Sequence, residues 1–279
     1  MFTLNCNGKL WPADKPLVMG ILNITPDSFY PGSRFMDDES ILRQGEKMIA
    51  DGADILDIGG QSTRPGAEEI GVEEELQRVI PAITLLHRHF PGTVISVDTW
   101  YSRVAREAVA AGAAMVNDIS GGSLDPRMLD TVGGLHVPYV CMHMKGTPAT
   151  MNGEAVYDNV TKEVLDFFIG RIAACRAAGI HDLILDPGLG FAKKAHHNFE
   201  LLKNLAIFRM TGCPILLGAS RKSFIYRSLG IGSAEALNGT TVTNTLALLN
   251  GADILRVHDP LEARQAVLLL ERYKSTNAH

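Results

Sequence analysis

Short apolar runs along the chain repeatedly end on a residue that can accept or donate a hydrogen bond. They are Asn23, Asp57, Asp98, Asn117, Met142-His143, Asp186, Gly218-Ala219-Ser220 and Arg256-Val257-His258. One such residue means little, because an Asp after a strand equally serves as the N-cap of the next helix. For Asp57, just ahead of Gly59-Gly60, the two readings stand level. Asp98, Asn117 and Asp186 become a site if the fold converges them on one mouth. Three loops add a second chemistry. Asn23 to Gly32 holds two prolines and two aromatics, a costly composition for an idle connector. Gly59 to Gly66 (GGQSTRPG) combines glycine amides, two hydroxyls and the Arg64 guanidinium, all anion-friendly groups. Gly218 to Ser223 (GASRKS) is a small-residue turn followed by two cations. Each alone reads as an ordinary turn. With Arg256 and His258 they gather basic groups at one mouth, as a bound phosphate or diphosphate requires.

Other candidates carry less. His196-His197 and His87-x-His89 sit in helix-like segments, where a solvated face is favoured over metal ligation. Cys6, Cys141, Cys175 and Cys213 are far apart with no C-x-x-C pair, which fits reduced thiols of a cytosolic protein; Cys141 reads as core. Neither a G-x-S-x-G elbow nor a Walker lysine motif is present, so esterase and P-loop chemistry lack support.

The elements that must position these residues are legible in the punctuation. Gly52, Gly112, Gly179 and Gly251 each close a helix-like stretch and lead into a β-branched run, as a left-handed C′ glycine does. Between them Pro16, Pro91, Pro138 and Pro214 precede four more apolar runs, and proline is tolerated at a strand start. The glycines stand 60, 67 and 72 residues apart, room for two βα units each. Eight strands, apolar on nearly every position and alternating with helices, predict an α/β fold, a single (β/α)8 TIM barrel. Asp125-Pro126 and Asp259-Pro260 read as N-cap plus N1-proline helix starts. Residues 1–16, with Asn7-Gly8 between short alternating runs, predict an N-terminal β-hairpin covering the barrel bottom, and 17–279 the barrel itself.

Composition agrees with one soluble domain. Of 279 residues 46% are hydrophobic and 20% charged, with a net charge of −5 that argues against nucleic acid and anionic membranes as partners. No charge-free apolar stretch is long enough to span a bilayer, and the N-terminus lacks the pattern of a signal peptide.

The segments MGILNITPDSF, DIGGQSTRPGA, SVDT, VNDISG, DPGLGF, LLGASRKSFI and LRVHD occur in that order and resemble the signatures of bacterial dihydropteroate synthases. The resemblance covers nearly the whole chain from Leu17. It implies a barrel that condenses 6-hydroxymethyl-7,8-dihydropterin diphosphate with 4-aminobenzoate to 7,8-dihydropteroate, releasing diphosphate. By residue, it implies Asn23 as ligand of a Mg²⁺ cofactor, and Asp98, Asn117, Met142, Asp186, Phe191, Gly218 and Lys222 around the pterin. Asn23, Thr63, Arg256, Val257 and His258 are implied for diphosphate, and Phe29, Arg64, Pro65 and Ser223 for 4-aminobenzoate. Asp27, Lys222, Arg256 and His258 are implied as catalytic. Gln61 departs from the pattern, since many members have Glu there.

The implied mechanism follows from charge. The aniline nitrogen is already neutral, so the demanding step is departure of diphosphate, for which Mg²⁺, Arg256 and His258 would stabilise the growing charge. An SN1-like path is open because the dihydropterin can delocalise the methylene cation, with Asp27 beside it. Glycines in the first two loops predict that they close on diphosphate. 4-Aminobenzoate and sulfonamide inhibitors are then expected to bind well only after it. The resemblance also implies a homodimer and a cytoplasmic enzyme. Two alternatives compete: the methyltetrahydrofolate domain of a corrinoid methyltransferase, and a barrel that binds pterin without catalysis. The first has no use for a diphosphate cluster, and the intact Ser220-Arg221-Lys222 turn speaks against the second.

Overall fold

In a computed structural model the chain is described over residues 2–24, 37–61, 69–151 and 153–276. The Asn7-Gly8 signal is a hairpin turn. Strands β1 (Phe2–Cys6) and β2 (Lys9–Ala13) pair antiparallel about it, with Asn7 and Gly8 both in the left-handed region at φ 53° and 80°. That is what a two-residue type I′ turn demands.

The punctuation marks the remaining strands as predicted. The Pro-led runs become β3 (Leu17–Asn23), β5 (Val94–Asp98), β7 (Tyr139–Met142) and β9 (Leu216–Leu217). The Gly-led runs become β4 (Ile55–Gly59), β6 (Met115–Asp118), β8 (Leu183–Asp186) and β10 (Ile254–Val257). Gly52, Gly112, Gly179 and Gly251 all take positive φ, between 86° and 118°, just after α1 (Asp38–Ala50), α3 (Ser102–Ala110), α5 (Val160–Ala177) and α8 (Leu237–Leu249). The other helices are α2 (Val72–His89), α4 (Met128–Leu135), α6 (Ala195–Lys203), α7 (Ser223–Leu229) and α9 (Pro260–Ser275).

The eight strands β3–β10 form one parallel sheet in the order β8-β7-β6-β5-β4-β3-β10-β9, and a bridge between Leu185 and Ile215 brings its edges together. This is the expected (β/α)8 barrel with its N-terminal hairpin. Two helix starts differ in detail. Asp259 precedes Pro260 at the head of α9 but does not cap it, because its carboxylate takes a bidentate ion pair from Arg221. The Asp125-Pro126 helix begins only at Met128, and Asp125 accepts from the backbone of Ser102 at the start of α3 (2.8 Å).

Side chains alternate across the sheet with period two. Val18, Leu22, Leu56, Ile58, Val97, Leu185 and Leu255 face the helices. Met19, Ile55, Met115, Val140, Ile184, Leu216 and Ile254 fill the barrel interior, where Leu4, Cys6 and Ala13 of the hairpin close it from below. The helix shell is tight at α4. A Cβ at Gly133 would stand 1.8 Å from the carbonyl oxygen of Ala178, just past α5. Gly133→Ala is therefore expected to lower stability by about 2–3 kcal/mol, because backbone on both sides must part. Urea unfolding measures it, and a change below about 0.5 kcal/mol contradicts the close approach.

Candidate active site

The period that puts apolar residues in the lower barrel puts polar ones directly above them. Ile55 is followed inward by Asp57 and Gly59, Met115 by Asn117, Ile184 by Asp186, Leu216 by Gly218 and Ile254 by Arg256. Register then sets neighbours: Asn23 pairs with Gly59, Gly59 with Asp98, Asp98 with Asn117, and Met142 with Asp186. The convergence that a site required is present.

Arg256 organises one side of the mouth. Its Nε donates to Asp57 Oδ2 at 2.6 Å and its Nη2 to Asp98 Oδ2 at 2.6 Å, while Asn117 Nδ2 donates to the same Asp57 oxygen at 3.0 Å. Burial works against the guanidinium charge, yet Asp57 and Asp98 hold its pKa above the ordinary value. Burial pushes Asp98 up to about 7, with Arg256 pulling it down. Asp57 is thus no helix cap. It is fully buried, and it ties Asn117 to Arg256.

The other side carries opposite charges. Asp186 is buried; its Oδ1 accepts from Gly188 N at 2.7 Å, and Oδ2 accepts no hydrogen bond among the described residues. Burial raises its pKa, against the pull of Lys222. Burial in turn lowers Lys222 to about 8, against Asp186. Lys222 Nζ donates to Leu189 O and lies 4.7 Å from the Phe191 ring centroid. Gly218 opens the space between them. A Cβ there would stand 3.8 Å from Lys222 Nζ, 3.9 Å from Asp186 Oδ2 and 3.9 Å from Arg256 Cβ. Met142 and Phe191 pack with Trp100, Ile119 and Met144 into an apolar cluster beside it. The result is a narrow slot with an apolar wall, carboxylates for ligand N–H groups and cations for ligand oxygens.

A scan against family models matches residues 19–258 to the pterin binding enzymes. The chain belongs to the pterin-binding enzyme family. It is 45% identical over 258 residues to dihydropteroate synthase of Escherichia coli strain K12, covering 92% of this chain and 91% of that one. Among solved structures it is similar to Xanthomonas albilineans dihydropteroate synthase with 4-aminobenzoic acid (TM-score 0.92, 41% identity, 99% of each chain). It is equally similar to the Yersinia pestis enzyme in a sulfonamide drug complex (TM-score 0.92, 37% identity, 99% of this chain and 100% of that one).

In this pterin-binding enzyme some expected residues lie elsewhere than the sequence implied. The Val257 side chain packs into the core between sheet and helices, so the strand offers only its backbone there. Arg221 does not present its charge to the mouth, since it pairs with Asp259 and donates to the carbonyls of Ser233 and Ala234. His258 Nδ1 lies 3.0 Å from Ser220 Oγ, and Ser223 is exposed at the start of α7. His196 is exposed as expected, but His197 is buried, with its Nδ1 accepting from Lys194 N at 3.2 Å. Asp27, Phe29, Thr63, Arg64 and Pro65 lie outside the described residues.

Glu75 escaped the sequence reading, because its place in an acidic first helical turn looks solvated. It is buried behind Gly60, its Oε1 has no partner among the described residues, and burial pushes it up to about 8. The folded protein then keeps a proton that the unfolded chain releases near 4.5, so stability falls as pH rises from about 4.5 to about 8. The slope is about 1.4 kcal/mol per pH unit. Glu75→Gln is expected to flatten that fall. Equal pH slopes in the two proteins would show the Glu75 carboxyl ionised in the fold.

Proposed function

We propose that this chain joins the methylene carbon of 6-hydroxymethyl-7,8-dihydropterin diphosphate to the amine of 4-aminobenzoate, forming 7,8-dihydropteroate and releasing diphosphate. The observation that carries it is the Gly218 slot, with Asp186 Oδ2 facing in, Asp98 and Asn117 across it and Lys222 at its end. A 2-amino-4-oxo pterin edge offers paired N–H donors to Asp186 and an oxo group to Lys222. The similarity to dihydropteroate synthases over nine-tenths of the chain supports the same reading.

The C–O bond to diphosphate breaks with the electron pair leaving on diphosphate, the C–N bond to the aniline nitrogen forms, and the product amine sheds one proton. The neutral aniline nitrogen needs no strong base. Arg256 and Lys222 bring positive charge to the mouth and favour the departing anion, with His258 beyond them. Asn23 suits Mg²⁺. Its Oδ1 lies at the strand end next to Gly59 and Asp98, makes no hydrogen bond among the described residues, and is a hard neutral oxygen. Asn23 would hold a cation that keeps several waters; when bound, that ion supplies charge to the diphosphate oxygens.

Sulfonamides, as mimics of 4-aminobenzoate, are the expected inhibitors, a reading supported by the Yersinia pestis complex. The free, buried cysteines fit a reducing cytoplasm. Leu261, Leu268, Leu269 and Tyr273 leave apolar surface on α9, beside Val242, Leu246 and Leu249 of α8, which favours a homodimer through this face. Sedimentation tests that, and a monomer at micromolar concentration rejects it. Catalysis is tested by diphosphate release, which must require both organic substrates and Mg²⁺. Release that ignores 4-aminobenzoate would leave a pterin diphosphate hydrolase instead.

A further inference from the structure

The loop from β8 to α6 brings Phe191 to the slot along a contorted path. Gly188 and Gly190 take φ 68° and 84°, and Ala192, which carries a Cβ, takes φ 49°. A non-glycine residue there costs about 1–2 kcal/mol and persists only where its surroundings hold it. The holding group is the next residue. Lys193 Nζ lies 2.9 Å from Phe191 O, 3.3 Å from His143 O and 3.0 Å from His143 Nδ1. Three acceptors thus face the three N–H donors of an ammonium. Burial takes His143 down to about 2, so its imidazole is neutral and can accept. Lys193 folds back across the Ala192 kink and ties it to the end of β7. Asn198 holds the same loop from outside, accepting from Gly190 N at 2.7 Å and donating to Lys194 O at 2.9 Å.

We propose that Lys193 is a positioning residue for pterin recognition: its clasp on the Phe191 and His143 carbonyls sets the wall of the slot and the Lys222–Asp186 pair behind it. This inference rests on the function proposed above. The route is short. Phe191 lies under the Lys222 ammonium, Leu189 of the same loop accepts from Lys222, and Gly188 N donates to Asp186. Lys193 also contributes charge. Asp186 is faced by Lys222 from the turn before α7, Arg256 from β10 and Lys193 from its own loop. Asp98 joins them through its bond to Arg256. Lys193 in turn faces Asp186, Lys222 and Lys145, with neutral His143 between. Burial pulls Lys193 well below the ordinary lysine range and Asp186 pulls it back.

The test compares the full-length protein with Lys193→Met, which keeps the stem and removes charge and donors, and with Lys193→Arg, which keeps both. Calorimetry with 6-hydroxymethylpterin is expected to show Kd about tenfold higher in Lys193→Met, with KM for 4-aminobenzoate within about twofold of wild type. The acid limb of kcat/KM for the pterin diphosphate should move up by about half a pH unit as Asp186 loses one cation. Lys193→Arg should restore the acid limb and part of the affinity. Wild-type pterin affinity in Lys193→Met overturns the proposal. So does a parallel loss for both substrates with the acid limb unmoved, which a merely structural role would give. A wild-type protein that binds no pterin overturns the proposed function and this inference with it, whereas intact wild-type binding matched by Lys193→Met overturns this inference alone.

Discussion

Asp186→Asn is expected to weaken pterin binding by about 3–5 kcal/mol while leaving the fold intact. The two halves of that expectation come from the two carboxylate oxygens. Oδ1 only accepts from Gly188 N, a task an amide oxygen performs equally well, so the turn after β8 survives. Oδ2 faces the slot, and there the substitution puts an N–H donor against the donors of the pterin edge. The exchange removes a buried charge that burial already disfavours but also a counter-charge to Lys222, so thermal stability should change little. Calorimetry with a pterin lacking diphosphate measures the loss. Unchanged affinity would remove Asp186 from the site, and a matching fall in melting temperature would make it structural.

Arg256→Ala should damage both stability and binding. It leaves Asp57 and Asp98 facing each other with no cation between them, and removing one partner of a buried ion pair costs about 3–5 kcal/mol. The loss should be largest above about pH 7, where Asp98 is ionised, and smaller near pH 5. Adding Asp57→Asn should recover part of it, and additive losses in that double-mutant cycle would show that Asp57 and Arg256 do not interact. Pterin affinity should fall together with turnover. The family resemblance implied Arg256 for diphosphate and catalysis, with no part in the pterin pocket. Its bonds to Asp57 and Asp98 make it a support of the pterin pocket as well as a charge for the departing diphosphate. His258→Ala is expected to slow turnover while pterin affinity is kept.

These corrections show where a sequence stops being informative. Helix-ending glycines and strand-opening prolines are local signals, because a left-handed turn or a missing N–H acts on its own few residues. They located all eight strands, and the strand ends then located Asp98, Asn117, Asp186 and Gly218. What a long side chain reaches is not local. Arg256 spans the barrel to two other strands, Arg221 turns away to Asp259, and Lys193 bends back over its own loop. Glu75 was hidden for the same reason, since only the packed fold shows that Gly60 covers it. Family resemblance named Val257 with its segment, but strand alternation sends its side chain to the far face.

The closing bridge of the sheet bears on all of this. Every other strand pair in the barrel is a ladder, whereas β8 and β9 meet only at Leu185 and Ile215, with Leu185 N donating to Pro214 O at 2.9 Å. That weakest seam runs directly beneath Asp186 on one side and Gly218 on the other. A ligand seated in the slot therefore does more than occupy a pocket: it supplies the cross-links that the backbone leaves out between the first and last strands of the sheet. Binding and barrel closure become one equilibrium, and amide protons of β8 and β9 should be those whose exchange slows most when pterin is present.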